Sequence, residues 1–441
     1  MQRITIEDNS CGRDALTERQ LAALSVYAGV PLQELQVKAR QLLIFPHCLG
    51  GNRDGIERQT LFEIAGGRLK TGNVLGFFCI DDMQIAIHSR FDRSDRQFFL
   101  HHMLRKVFGI HILNLENHMG TDELWEFLIY LFPHCLLRAL KQGIFRAYRQ
   151  YESNDARAKG AVDIARQLKT NVPFNGKIAC RVREYSADNP LTQLIRHTIE
   201  FIRDDRRRAV ILRGNTEIED AVSQIAAVTP SYDPRERARI VFRNLRAANH
   251  PFFTEYTFLR ELCLRILRRD RISTGYEDRK IRGIIFDGAW LWEEYLATML
   301  KPYGFEHPEN KTGRGRRYLF TDNSGWIYPD FIGGDAVLDA KYKPLDTNNI
   351  SREDRFQIIS YMHVLQKGFG YLLFPSRGIS PAAAAPRTLN GFGGKLGTVA
   401  LRIPQSEDRD DFRASMELSE RLFCETVGGI AGGADGRRAE A

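Results

Sequence analysis

The sequence predicts a multidomain α+β protein: a β-rich N-terminal module, a mostly helical middle region and a C-terminal α/β core on a mixed sheet. Three observations predict this. The chain has 441 residues, more than one hydrophobic core usually organises. Its 43% hydrophobic and 27% charged content is that of an ordinary globular chain. Strand-like runs dominate early, helical periodicity dominates the middle, and the two alternate near the end. The expected boundaries are 1–150, 151–275 and 276–427, followed by a tail, 428–441, too poor in apolar residues to order.

In chain order, Arg3–Ile6 reads as a short strand, and Thr17–Tyr27 and Pro31–Ala39 as helices. Leu61–Ala65, Asn73–Ile80 and Met83–Phe91 are strand-like runs, the last two joined through Asp81-Asp82. From Asp95 to Val107 the apolar residues fall on one helical stripe. Asp122–Tyr148 is a long apolar helix or helix pair, whose Trp125, Phe127 and Leu128 are core candidates. His101, His102 and His118 could suggest a metal, but no carboxylate or cysteine sits at ligand spacing and zinc would want four ligands, so a metal site is not expected there.

In the middle region, Ala158–Ile164 reads as a turn into a strand. Asp188-Asn189-Pro190 then opens a helix from Leu191 to Ile202. Further helices are expected over Asp220–Val228, Arg235–Ala247 and the basic stretch Tyr256–Arg271. From Arg279 the order is helix (Gly288–Leu300), three strands, helix (Arg352–Gln366), strand (Gly370–Phe374). A loop over Ser376–Lys395, a strand over Thr398–Ile403 and a helix over Asp408–Val427 complete it.

Several function classes are excluded or disfavoured. There is no run of eighteen apolar residues and no apolar leader, which predicts a cytoplasmic protein without a membrane span. Seven scattered cysteines, an odd number with no Cys-x-x-Cys, argue for reduced thiols rather than a disulfide framework or zinc site. No Walker-type glycine loop, nucleophile elbow or dinucleotide fingerprint occurs. The net charge of +8 is compatible with a polyanionic partner.

The chemistry concentrates in Ile327–Lys343. Two apolar-rich runs flank Gly333-Gly334, the signal of a tight hairpin. With that turn, Ile332 faces Asp335, Phe331 faces Ala336 and Asp330 faces Val337. Alternation puts Asp339 and Lys341 on the face of Val337, with Asp330 diagonal to Asp339. Phe331, Ala336, Leu338 and Ala340 make the opposite, core face. Two carboxylates and an ammonium on one face suit metal-assisted phosphodiester hydrolysis. Mg²⁺ takes hard oxygen ligands and retains water, and a lysine two residues from a ligand can steady developing charge. Glu293 or Glu294, on the helix before the sheet, can add a third carboxylate. Gln357 and Tyr361, four apart, share a helix face. The basic segment Asn310–Arg317, with Lys311, Arg314, Arg316 and Arg317, is placed to hold a phosphate backbone.

Pro329-Asp330, Asp339-Ala340-Lys341 and Gln357-x-x-x-Tyr361, after Trp292-Glu293, resemble the PD-(D/E)xK nuclease core. More narrowly, Tyr328-Pro329-Asp330 followed by Asp339-Ala340-Lys341-Tyr342-Lys343 resembles the McrC family, the nuclease subunit of McrBC-type modification-dependent restriction systems. Ala158–Asp163, Glu184–Leu191 and His88–Leu100 extend the resemblance, although Lys159 stands where the family usually has arginine. The resemblance implies a restriction-endonuclease-like core that cuts double-stranded DNA with Mg²⁺. Asp330, Asp339 and Glu293 would be metal ligands, Lys341 the catalytic lysine, Gln357 and Tyr361 supporting residues, and Lys343 a DNA contact. It also implies that residues 1–150 dock on and stimulate a hexameric AAA+ GTPase that reads 5-methylcytosine-type modification and translocates DNA. Two other readings stand beside it: a non-catalytic DNA-binding activator of an NTPase motor, and a nuclease that works alone.

Overall fold

The computed structural model describes residues 2–38, 42–45, 59–81, 83–93, 97–108, 121–213, 215–246, 250–268, 281–308, 315–345, 350–378, 384–391 and 393–432. Lys311, Arg314, His118, Cys48 and the segment 433–441 lie outside them. The strands are β1 (Gln2–Glu7), β2 (Leu42–Phe45), β3 (Phe62–Ala65), β4 (Arg68–Thr71), β5 (Val74–Ile80), β6 (Met83–His88), β7 (Ala147–Asp155), β8 (Ala161–Val162) and β9 (Ile178–Ser186). They continue with β10 (Ile281–Asp287), β11 (Arg317–Tyr318), β12 (Trp326–Ile327), β13 (Phe331–Gly333), β14 (Ala336–Ala340), β15 (Phe369–Ser376), β16 (Ala384–Thr388) and β17 (Lys395–Arg402). The helices are α1 (Glu18–Leu24), α2 (Leu32–Lys38), α3 (Phe98–Phe108), α4 (Thr121–Lys141), α5 (Ile164–Thr170), α6 (Pro190–Arg203), α7 (Thr216–Val228) and α8 (Arg237–Asn244). After them come α9 (Thr254–Leu267), α10 (Gly288–Leu300), α11 (Arg352–Leu365) and α12 (Arg409–Gly432).

The chain divides into two compact units, one of Met1–Leu124 with Tyr276–Ala441, the other Trp125–Gly275. The sequence reading separated 1–150 from 276–427, whereas the structure joins most of both in one unit. The reason is β10, a strand the sequence reading missed. It sits inside the N-terminal sheet, of order β1-β6-β5-β10-β2, antiparallel to β5 and parallel to β2. Two glycines allow the close pairing of β5 and β10. A Cβ at Gly76 (φ +138) would fall 2.1 Å from the Ile284 carbonyl oxygen, and one at Gly283 (φ +156) 2.2 Å from that of Phe77. Ile44, Phe78, Ile85 and Ile285 fill the core of this sheet.

The second sheet of this unit has the order β13-β14-β15-β17-β16. β14, β15 and β17 run parallel, and the two edges are antiparallel. Two adjacent parallel strands need a crossover, and α11 supplies it between β14 and β15. The edge strand β16 falls in the stretch expected to be loop. Ser351 caps α11 through the Asp354 amide. The last helix continues to Gly432, past the expected end at Val427. No helix among the described residues is long and apolar enough to cross a membrane.

The other unit is less helical than the middle region was expected to be. Its long pair β7–β9, with β8 on the other edge, forms a three-stranded antiparallel sheet. Around α6 pack α7, α8 and α9. Asn189 caps α6 with a reciprocal bond to Thr192, and Pro190 occupies its first turn, as the Asp-Asn-Pro signal predicts. The short α5 buries no residue, leaving Ile164 and Leu168 exposed together with Val162, Val172 and Phe174.

Candidate active site

The hairpin of β13 and β14 turns one residue later than Gly-Gly suggested. Gly333 pairs with Ala336, Ile332 with Val337 and Phe331 with Leu338, so Gly334 (φ +51) and Asp335 make the turn. Asp335 is held there because its Oδ1 accepts from the Gly368 amide at 2.8 Å, tying the turn to the start of β15. The expected pairings of Ile332 with Asp335, Phe331 with Ala336 and Asp330 with Val337 are therefore corrected by two positions. A two-residue change preserves which face each side chain takes. Continued by one residue, the observed register brings Asp330 from the expected diagonal position into line with Asp339. Asp330 Oδ2 accepts from the Ala340 amide at 2.7 Å, which locks the carboxylate against β14.

The face that carries Asp339 is more enclosed than a polar sheet face. Val337 on it packs with Ile358, Tyr361 and Met362 of α11. Asp339 is only 2% exposed. Its Oδ2 forms an ion pair with Lys341 Nζ at 2.6 Å. Lys341 also donates to Gln357 Oε1 at 2.8 Å, and Gln357 Nε2 donates to the Tyr361 hydroxyl at 2.6 Å. The Tyr328 backbone bonds that same hydroxyl. Asp339, Lys341, Gln357 and Tyr361 thus form one continuous chain of polar contacts from β14 to α11.

The electrostatics follow from this crowding. Burial pushes the Asp330 carboxyl well above the usual carboxylate range, and Glu293 and Asp339 push it further. Burial raises Asp339 as well, against the pull of Lys341. For Lys341 burial opposes the charged form, but Asp339 and Asp330 outweigh it and the ammonium is raised. The site therefore holds negative charge that it does not fully neutralise, the condition in which a cation or a proton is taken up.

Of the two candidate glutamates, Glu294 accepts from its own helix neighbour Trp290 at 3.1 Å. Glu293 is the one that acts on Asp330. Two residues that sequence reasoning missed complete the surroundings. His307 stacks on Phe331, its Nδ1 lies 2.8 Å from the Asp330 carbonyl, and its Nε2 lies 3.7 Å from Glu293. Asp354, in the first turn of α11, pairs with Lys343 at 2.7 Å and stands 3.7 Å from Lys341. Lys343 is half-exposed while making that pair. Neither missed residue sits in a recognisable spacing, although Ser351-x-x-Asp354 is a helix-start signal.

The donor set fits a hard divalent cation in an open site. Asp330 and Asp339 in line, with Glu293 beside them, offer only oxygen ligands. Among the described residues no group of three or more His, Cys, Asp or Glu side chains is arranged to hold a metal by itself. Water or substrate oxygens would have to complete any coordination shell.

Behind the site, Arg90 reaches from the N-terminal sheet to the residue after Lys341. Its guanidinium donates to the Tyr342 carbonyl, lies 5.0 Å from the Tyr342 ring centroid and pairs with the fully buried Asp8 at 3.2 Å. Ser89 and the Tyr342 hydroxyl share a 2.7 Å hydrogen bond. Gly288 leaves room for that ring, since a Cβ there would lie 2.7 Å from it. The described histidines of the region after β6 lie on another side of the unit. His101 stacks on Phe77, and His102 Nε2 lies 2.6 Å from Glu420.

The family model for the McrBC 5-methylcytosine restriction system component matches residues 69–375. No curated protein matches. Two solved structures from Thermococcus gammatolerans are similar at 16% identity. One is a refined half-complex from a tetradecameric assembly of McrB AAA+ hexamers with bound McrC; the likeness covers 95% of this chain and 100% of that one, with a TM-score of 0.46. The other, a McrBC complex determined by cryo-electron microscopy, covers 68% of this chain and 88% of that one, with a TM-score of 0.29. The family match, which spans Arg90, β14 and the hairpin turn and takes in well over half of the chain, decides the assignment: this protein belongs to the McrBC 5-methylcytosine restriction system component family.

Proposed function

We infer that this chain is the nuclease subunit of its restriction system, of the McrC kind, and that it hydrolyses DNA phosphodiesters at Asp330, Asp339 and Lys341 on a PD-(D/E)xK core. The single observation that carries this is the register that aligns Asp330 with Asp339 while Lys341 is held between Asp339 and Gln357. Mg²⁺, held by Asp330 and Asp339 with Glu293 beside them, would supply an acidified water and positive charge at the phosphate. Lys341 is an ammonium already oriented on the same face, able to donate to phosphate oxygens as negative charge grows on them. Gln357 and Tyr361 fix its direction, so little reorganisation is needed when substrate arrives. Lys343, with Arg316 and Arg317, adds positive charge for the DNA backbone.

The chain has no nucleotide-binding glycine loop in its sequence, so translocation and NTP hydrolysis fall to a separate AAA+ partner. Residues 1–150 are the part of the chain that docks on this partner. The exposed apolar residues around α5 add a second surface with partner character.

The test is cleavage of methylated and unmethylated plasmid with Mg²⁺ by the chain alone, by the chain with its AAA+ partner and nucleotide, and by the Asp339→Ala variant in the same complex. Cutting of modified DNA by the wild-type complex alone is the expected result. Unchanged cutting by Asp339→Ala removes the assigned site. Cutting without the partner favours a nuclease that works alone. Partner stimulation without cutting in any lane favours a non-catalytic activator.

A further inference from the structure

Next to the site stands a small hairpin that buries little of its own aromatic surface. β11 and β12 pair Arg317 with Ile327 and Tyr318 with Trp326. The connecting turn is tightly made: the Leu319 amide donates to the Gly325 carbonyl at 2.8 Å, and the Ser324 amide to Asp322 Oδ1 at 2.9 Å. Phe320 lies over Gly325, where a Cβ would come within 2.9 Å of its ring. Yet Trp326 is 61% exposed and Phe320 58%, and Tyr318 and Leu319 are exposed as well. An ordered turn that holds large apolar side chains in solvent is displaying them.

The charges beside these rings indicate what they meet. The Arg316 guanidinium lies 4.7 Å from the Trp326 ring centroid and bonds the Tyr328 and Tyr318 side chains. Arg317 follows directly. A cation already resting on an indole suits a polyanion whose bases have flat faces; an apolar protein surface would have to desolvate that cation. The hairpin is also anchored to the site. Ile327 packs on the cluster of Val337, Ile358 and Tyr361, and the Tyr328 backbone bonds the Tyr361 hydroxyl. Asp330 follows two residues later.

We propose that the hairpin Arg317–Ile327 is a base-stacking platform, on which Trp326 and Phe320 hold unpaired bases of the DNA strand beside the nuclease site. The proposal rests on the nuclease reading and deepens it by assigning the substrate contact. It implies that DNA at the site is locally unstacked, since a base stacked inside a duplex offers no free face.

Trp326 makes the test selective. The other three tryptophans, Trp125, Trp290 and Trp292, are buried, so quenching of exposed indole emission reports Trp326. Full-length protein without metal is titrated with an oligothymidylate and with a blunt duplex of equal length. The platform requires stronger quenching by the single strand, and a loss of single-strand affinity of about tenfold in Phe320→Leu plus Trp326→Leu, followed by anisotropy. Leucine keeps the apolar bulk while removing the π face, and circular dichroism checks that the variant is folded. Plasmid cleavage by the assembled complex is run in parallel. Unchanged single-strand affinity in the double variant, with wild-type cleavage intact, overturns the platform and leaves the nuclease. Tight single-strand binding through Trp326 without any cleavage keeps the platform and overturns the nuclease. Absence of both binding and cleavage in the wild type overturns both.

Discussion

Replacing Lys341 by methionine tests the energetics of the site apart from its chemistry. Lys341 Nζ sits 2.6 Å from an Asp339 carboxylate that is 2% exposed. At an effective dielectric of about 20 the gross attraction is roughly 6 kcal/mol, most of it offset by the cost of taking both ions out of water. The variant loses the attraction and keeps the cost, because Asp339 stays buried without a cation. Breaking such a pair costs about 3–5 kcal/mol, and the partial exposure of Lys341 puts this one near about 3 kcal/mol. For a unit of this size that lowers Tm by on the order of 5 °C. The pH dependence has a definite sign. Asp339 is already raised above its ordinary value, and loss of Lys341 raises it further. A carboxyl raised on folding destabilises the fold as pH climbs from its unfolded value through its folded one. The loss in Lys341→Met is therefore smaller at a mildly acid pH than at a mildly alkaline one. Adding Asp339→Asn removes the stranded charge and restores most of the stability but none of the cleavage. Scanning calorimetry of the four proteins of this cycle at both pH values is the assay. An equal Tm loss at both pH values, or one that Asp339→Asn fails to reduce, refutes the reasoning.

Two further outcomes follow from charges outside the site. Burial opposes ionisation of Glu420, but bonds from His102, Lys106 and Tyr295 outweigh it and lower it from 4.5 to about 2. That stability is present above pH 4.5 and lost as pH falls toward 2; discounted for the half-exposed Lys106 it is about 2 kcal/mol. Glu420→Gln should lose that amount at pH 7 and flatten the acid limb, as measured by urea unfolding across pH. Arg90→Met should strand Asp8, which burial already raises to about 7, and release the Tyr342 carbonyl. Lower stability together with a fall in cleavage beyond the unfolded fraction is expected; normal cleavage per folded molecule would show that Arg90 does not position Lys341.

The sequence by itself determined the position of most helices and which residues share the face of the candidate site. α10 coincides with the expected Gly288–Leu300, and α6, α11 and α12 start within a residue of expectation, because caps and apolar stripes are local signals. Alternation along β14 put Asp339 and Lys341 on one face without any tertiary information, and the structure joins them to Gln357 and Tyr361. Long-range pairing was a tertiary decision. β10 reads as an apolar run after a break, and only the close approach of Gly76 and Gly283 shows that it belongs to the N-terminal sheet. The turn moved by one residue because the Asp335 carboxylate found the Gly368 amide, a partner 33 residues away. His307 and Arg90 come from elements outside the hairpin and α11, so no spacing in the chain revealed them, whereas Asp354 lies on α11 three residues before Gln357. Local periodicity is written in neighbours along the sequence. Which distant groups share a buried charge is settled only when the sheets close around them.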